Sequence, residues 1–252
     1  MEPKLIICGM EHTGTTLVSD LFRQVPGLDS GFECGVLLRE TPKEFLSLQP
    51  FSQNMLKGWG LTPEELETMC RCESHSEFYE KLIHFSRTLP EGTSQIFDKT
   101  PRYLSELSSV LKRVSSPVIV TYKDPRAIVC SDFKRAKTEN FDAWYSDYLP
   151  KKKPYLINCY SEFKKHSASK RTFYVGLENL AMNARALMEG MFDHAGEKFK
   201  IDYAIIKELR YVNTKNNTVS ADIAFEYLRV LKSEWQKKIE TDFHEASDWF
   251  YA

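Results

Sequence analysis

The chain reads as a single α/β domain, a parallel β-sheet flanked by helices, and three observations predict it. Four short runs rich in β-branched or aromatic residues, Leu5–Cys8, Gln95–Phe97, Val118–Tyr122 and Thr172–Val175, are separated by long stretches of helical pattern. Such spacing suits parallel strands joined by crossover helices. The first run leads straight into Gly9-Met10-Glu11-His12-Thr13-Gly14-Thr15-Thr16 and then a helical run. Strand, glycine-framed loop and helix is the context that a phosphate-binding loop requires. Finally, 252 residues with 42% apolar content are enough for one sizeable core of this class.

Taken in order, Leu5–Cys8 is a buried first strand, and the loop after it keeps the glycine spacing of nucleotide triphosphatases. Backbone N–H groups and the following helix N-terminus favour an anion there. Thr15 occupies the place of the lysine that normally reaches the β/γ-phosphates, so the expected ligand is a phosphate other than an Mg-triphosphate. Helical patterns cover 14–24, 63–72, 76–87, 102–114, 125–137, 143–167 and 221–247. Thr62-Pro63-Glu64-Glu65 is a helix start, with threonine as cap and proline in the first turn. The segment from about 38 to 90 is a helical insertion between the first two strands, expected over the carboxyl ends of the strands where ligands bind in open α/β sheets. Tyr211–Ser220, rich in Asn, Thr and Lys, reads as a mobile loop. Trp235, Ile239, Phe243 and Trp249 on the last helix read as core anchors.

Composition narrows the function classes. A net charge of −1 gives no support for nucleic-acid binding over the whole surface, so any basic site must be local. No run of about 18 apolar residues exists to span a membrane, and Met-Glu-Pro-Lys leads into the first strand without a cleavable signal. The six cysteines form no CxxC pair, Cys70-Arg-Cys72 is too little for a metal site, and Cys8 and Cys130 sit in apolar segments as buried thiols. A reduced, cytoplasmic setting is expected.

The chemistry is expected where strands end in charge. The second strand runs into Asp98-Lys99-Thr100-Pro101-Arg102-Tyr103, the third into Lys123-Asp124-Pro125-Arg126. If Pro125 opens a helix, Ser131 and Arg135 are four apart and share a face. Lys123, Ser131 and Arg135 then converge on one phosphate through charge-assisted bonds. The plain alternative is a solvated charged face with Asp124 as the helix cap.

These segments carry a resemblance to a known family. Glu11-His12-Thr13-Gly14-Thr15-Thr16-Leu17 is similar to the 5′-phosphosulfate loop of sulfotransferases. Lys123-Asp124-Pro125-Arg126-Ala127 with Ser131 resembles that family's 3′-phosphate motif. Asp98-Lys99-Thr100-Pro101-Arg102-Tyr103-Leu104 and Gly31-Phe32-Glu33-Cys34-Gly35 are similar to segments of its carbohydrate and tyrosylprotein branches. Leu177-Glu178-Asn179-Leu180 resembles the segment after its fourth strand. The five occur in the family's order over residues 4–180, whereas the C-terminal third adds little.

The resemblance implies a P-loop-like sulfotransferase fold of bacterial type and the sulfate donor 3′-phosphoadenosine 5′-phosphosulfate (PAPS), leaving 3′,5′-adenosine bisphosphate (PAP) as product. Two separate phosphates explain the missing lysine. It implies transfer to an acceptor hydroxyl of a small molecule or glycan, with a carbohydrate or glycoconjugate favoured, and it requires no metal. Thr13, Gly14, Thr15 and Thr16 would bind the 5′-phosphosulfate. His12 and Lys99 would stabilise charge at the sulfuryl group, and Glu33 would be the general base, with Asp98 its rival. Lys123, Ser131 and Arg135 would hold the 3′-phosphate, with Arg126 supporting the loop or the phosphate. Two departures stand out: His12 replaces the usual Lys or Arg, and Lys123 replaces an arginine and its bidentate fork. A protonated His12 would act as a cation, its pKa raised by the donor. Leu177 leaves no named adenine-stacking ring, and Lys215 is the available substitute for an absent C-terminal basic motif. Alternative readings are a P-loop kinase, for which Asp98 and Asp124 are the candidate Mg ligands, and a non-catalytic nucleotide binder with a decayed site.

Overall fold

The run Ile6–Gly9 (β1) is buried along its whole length, as a strand must be when both faces of its sheet are covered. In the computed structural model, which describes residues 1–207 and 220–250, it leads into helix α1 (Thr15–Phe22), followed by the short strand β2 (Leu28–Asp29). Helices α2 (Phe51–Gly58), α3 (Pro63–Cys70) and α4 (His75–Phe85) come next, then strands β3 (Gln95–Ile96) and β4 (Asp98–Lys99). Helix α5 (Leu107–Arg113), strand β5 (Val118–Tyr122), helices α6 (Pro125–Ala136) and α7 (Phe141–His166) and strand β6 (Thr172–Gly176) complete the central part. After it stand α8 (Leu177–Met182), α9 (Ala184–His194), α10 (Ala221–Ala224), α11 (Tyr227–Val230) and α12 (Ser233–Asp242).

The main sheet has the order β4-β1-β5-β6 and every pairing in it is parallel. Ile6 pairs with Asp98 on one side and Val118 on the other, so the expected parallel α/β architecture is present. The two-residue side-chain period divides the core. Ile6, Cys8, Val118 and Val120 face one cluster with residues of α2 to α7 and α12, while Leu5, Ile7, Ile119 and Val175 face another with Val18, Leu21 and Phe22 of α1 and Phe192 of α9.

Several expected elements differ. The second strand run is two strands: β3 pairs with β2 in a small separate sheet, and β4 joins the main sheet. The change of partner falls at Phe97 and Asp98, whose N–H groups donate to Asp29 O and to Leu5 O respectively. The long C-terminal helix is broken, because Leu231 and Lys232 take extended backbone angles and Phe243 ends α12. A straight helix over that stretch would run about 40 Å. The breaks fold that length back, so that Leu231, Ile239, Phe243 and Trp249 all reach the first core cluster. Helices α2, α8 and α9 and strand β2 were not evident in the pattern. The insertion is helical as expected. The capping box at Thr62 is complete, with Glu65 N–H donating to Thr62 Oγ1 and Thr62 N–H to Glu65. The loop expected over 211–220, with Lys215, lies outside the described residues apart from Ser220. All six cysteines are free and buried, Cys8 and Cys130 among them. Among the described residues, no helix is long and apolar enough to cross a membrane.

Candidate active site

The loop after β1 is clamped to β5 by threonine hydroxyls. Thr13 Oγ1 lies 2.6 Å from Met10 O, to which it donates, and 2.7 Å from Thr121 Oγ1. A Cβ at Gly9 would fall 2.2 Å from Thr121 Oγ1 and 2.7 Å from Thr13 Oγ1, so only glycine fits where the three segments meet. Gly14 caps α1 in the left-handed region, at φ 92°, and no side chain caps the helix. Its first-turn N–H groups, at Thr15 and Thr16, are therefore left to an anion.

At the end of β5, Lys123 is 3% exposed and Asp124 caps α6 by accepting from Arg126 N–H at 2.8 Å. Lys123 Nζ lies 3.2 Å from Ser131 Oγ, one helical turn and more along α6. Burial holds the Lys123 pKa below its usual value. Arg126 is buried and donates to both oxygens of Asp124 and to Glu240 on α12. Behind Lys123 sits Glu178 at the start of α8. Its Oε1 accepts from Asp124 N–H at 3.2 Å, and its buried Oε2 has no hydrogen-bond partner.

At the end of β4, Lys99 is 2% exposed, and its Nζ lies 3.2 Å from Glu33 Oε1 and 4.9 Å from the centre of the Phe32 ring. Burial lowers the Lys99 pKa and the Glu33 carboxylate opposes that shift. Asp98 is fully buried and accepts from Tyr79 at 2.6 Å, Tyr103 at 2.7 Å and Thr100 at 2.8 Å. Burial raises its pKa, against those hydroxyl donors. Thr100 Oγ1 in turn accepts from Gly35 N–H, which ties the Glu33 segment to β4.

His12 has a left-handed backbone, at φ 69°, and its Nε2 lies 3.0 Å from Arg135 Nη1 and 3.6 Å from Asp132 Oδ1. Asp132 Oδ2 accepts from Tyr148 at 2.8 Å and lies 3.6 Å from Lys152, which also reaches Glu11 at 3.0 Å. Next to this cluster is an open cavity of about 360 Å³ lined by Asp132, Trp144, Asp147, Tyr148, Lys151 and Lys152. The Trp144 and Tyr148 rings stack along it with centres 4.5 Å apart.

A model of the sulfotransferase family matches residues 3–200 of this chain. The chain belongs to the sulfotransferase family. Its enzymatic class is therefore sulfuryl transfer. No curated protein sequence matches the chain. The fold is similar to the sulfotransferase domain from the Synechococcus PCC 7002 olefin synthase, at 18% identity and a TM-score of 0.67, over 100% of this chain and 95% of that one. It is similar to the sulfotransferase domain from the curacin biosynthetic pathway, at 15% and 0.62, over 97% and 98%. It also resembles mouse sulfotransferase SULT7A1 complexed with PAP, at 11% and 0.56, over 97% and 84%. At these identities the likeness is one of fold.

In this sulfotransferase the residues expected from sequence are distributed unevenly. Lys123 and Ser131 meet as expected, whereas the ion pair between Lys99 and Glu33 was not foreseen. Arg135 was expected beside Lys123 and Ser131. It lies one turn beyond Ser131 on α6, and its guanidinium reaches His12 instead. Thr13 gives its hydroxyl to the clamp on β5 and its backbone N–H to Met10 O, so the loop amides left for a ligand begin at Gly14. Arg126 acts as the expected loop support. Asp98 and Asp124 are committed to internal partners, which together with family membership sets the kinase reading aside. Sequence reasoning missed Asp132, Trp144, Tyr148 and Lys152, which carry no motif and meet only because α7 crosses the loop. Glu178 was part of a quoted segment, but nothing local marked its carboxyl as buried.

Burial raises the Glu178 carboxyl from the ordinary 4.5 to about 7. Between those values the folded protein keeps a proton that the unfolded chain has lost. Stability from this group therefore falls as pH rises across the window and is level above it. Glu178→Gln should flatten that slope and leave the variant the more stable protein above pH 7, by up to about 3 kcal/mol. The two should converge near pH 4 in denaturant titrations. A parent that is more stable above pH 7 would show that attraction to Lys123 outweighs burial.

Proposed function

We propose that the protein transfers the sulfuryl group of PAPS to an acceptor hydroxyl, with a carbohydrate or glycoconjugate as the favoured acceptor. The observation that carries this is the pair of buried lysines at neighbouring strand ends. Lys123 with Ser131 and Lys99 with Glu33 stand on opposite sides of β1, whose loop opens an uncapped helix. Two lysines, each nearly excluded from water, are costly charges; Lys99 has Glu33 as counter-ion, while Lys123 meets only a serine hydroxyl at hydrogen-bond distance. A donor with two separated anionic ends satisfies both, and the loop amides satisfy the phosphate between. The residues therefore fit PAPS, which supplies the sulfuryl group when bound.

Lys123 and Ser131 hold the 3′-phosphate, and Arg126 keeps their loop rigid through Asp124. Backbone N–H groups at Gly14, Thr15 and Thr16 take the 5′-phosphate. Lys99 stabilises charge on the sulfuryl oxygens, as a preorganised cation does in a site sheltered from water. Glu33 takes the acceptor proton. The acceptor preference rests on the cavity beside His12. Stacked Trp144 and Tyr148 present an aromatic wall to a sugar face, and Asp147 and Lys151 offer groups for its hydroxyls. The helical insertion is tied to β4 through Tyr79 on Asp98, and the span is read as one domain over 1–252. Six free, buried cysteines support the cytoplasmic reading. An acceptor screen with labelled donor tests the activity and the acceptor class together. Incorporation into aliphatic or phenolic alcohols but into no saccharide would overturn the acceptor assignment, and none at all would favour a decayed site.

Lys123→Ala should weaken PAP binding in calorimetry by about 1–3 kcal/mol, the range for a hydrogen bond to a charged group, and leave 5′-AMP binding nearly unchanged. Equal losses for both nucleotides would remove Lys123 from the 3′-phosphate. Glu33→Gln should keep PAP affinity and lower turnover by about 10²–10⁴-fold, the usual scale for a general base. Asp98→Asn should instead lower the unfolding midpoint, since it disrupts the three-hydroxyl cluster. Normal turnover in Glu33→Gln, with loss confined to Asp98→Asn, would exchange the two roles.

A further inference from the structure

The loop over α1 holds one side chain able to carry positive charge, His12, and the geometry makes it neutral. A guanidinium has donors only and keeps its charge at all working pH values. Its contact with His12 Nε2 at 3.0 Å therefore makes Nε2 the acceptor. The ring proton must then reside on Nδ1, and the imidazole carries no charge. The surroundings agree. Burial first, and Arg135 second, lower the His12 pKa, with Lys152 adding to this and Asp132 and Glu11 opposing it. Those groups come from α6, α7 and the loop itself. Arg135 has a second consequence. Of the cations around the loop, Lys152 is engaged by Glu11 and Asp132, whereas the guanidinium of Arg135 is turned towards the loop through the histidine.

We propose that Arg135 supplies the positive charge of the 5′-phosphosulfate end, acting through a neutral His12 held in the Nδ1–H form. His12 is the group that donates to the donor's oxygens, and Arg135 is a positioning residue. It fixes the tautomer and polarises the ring, so that the N–H presented to the anion is more acidic than that of an isolated imidazole. The pair does the work of one long cationic side chain. This extends the PAPS reading above and rests on it.

The test has three readouts. In the free protein, long-range ¹⁵N–¹H correlation spectra should show His12 neutral and Nδ1-protonated from pH 6 to 8. A charged ring or an Nε2–H tautomer in that range would overturn the contact itself, whatever the enzyme transfers. Arg135→Ala should leave His12 with Asp132, Lys152 and Glu11 as its charged neighbours, having removed the cation with the larger effect on it. The ring pKa should then rise, and turnover should fall about a hundredfold at pH 8, the scale for losing one charge-stabilising donor. That variant should recover activity as pH falls through the new His12 pKa, because the ring can then bear the charge. The parent, by contrast, should show no such limb from His12. Adding His12→Lys to Arg135→Ala should restore turnover and abolish the acid recovery, a rescue that a purely structural arginine would not give. PAP binding by calorimetry separates the two readings. If the parent does not bind PAP, the donor assignment fails. If the parent binds PAP and transfers sulfate, and Arg135→Ala matches it in turnover and pH profile, only the relay is lost.

Discussion

The arrangement depends on the close approach of three backbone segments at Gly9, Thr13 and Thr121. Two threonine hydroxyls 2.7 Å apart and a residue with no Cβ allow the loop to press onto β5. That contact sets the height of the loop above the sheet. It thereby fixes the direction of α1 and the separation between its amides and Lys123, two residues beyond Thr121. A buried hydroxyl pair of this kind is satisfied on both sides, since Thr13 also donates to Met10 O. Breaking it would leave a polar group unpaired in a dry interior, at a cost of about 1–3 kcal/mol. The clamp thus aligns the two halves of the site without taking part in the chemistry.

Around that frame the protein accumulates charge in places that water barely reaches. Lys99, Lys123, Asp98, Asp124, Arg126 and Glu178 are all 4% exposed or less. Some are mutually neutralised: Asp124 and Arg126 form a closed pair that the N-terminus of α6 further stabilises. Asp98 is held by three hydroxyls and organises the junction between β4, the insertion and the Glu33 segment. The others are neutralised less completely. Lys99 has one carboxylate at 3.2 Å, Lys123 has a serine hydroxyl, and Glu178 keeps an oxygen without a partner. This contrast separates scaffold from site. Fully satisfied buried charges rigidify, while the partly satisfied lysines are the candidates for ligand contact.

The cavity beside His12 is built in the same two-part way. Its aromatic wall comes from α7, whose 26 residues run past the loop, and its polar groups come from α6 and α7 together. Tyr148 serves both purposes, stacking on Trp144 and donating to Asp132. Asp132 therefore links the aromatic wall of the cavity to the loop after β1.

By itself the sequence determined the parallel sheet, the glycine-framed loop between β1 and α1, and the approach of Ser131 to Lys123. Each of these is written in short-range pattern: β-branched runs, glycine spacing, and a hydroxyl one or two turns after a proline-started helix. The pairing of Lys123 with Ser131 is read from a helix opening at Pro125 together with the spacing of the resembled 3′-phosphate motif. What only the tertiary structure decided involves partners far apart in the chain or the exact reach of a side chain. Arg135 and Ser131 share a helix face, yet a long side chain one turn further on contacts a loop 123 positions away rather than the nearer lysine. Trp144, Tyr148 and Lys152 join the site because α7 packs across it, and periodicity does not say which surface a helix crosses. The burial of Asp98 and Glu178, and hence one as a structural hub and the other as an acid shifted to about 7, likewise arose from packing. A carboxylate's protonation is set by the density of atoms around it, and those atoms come from everywhere in the fold.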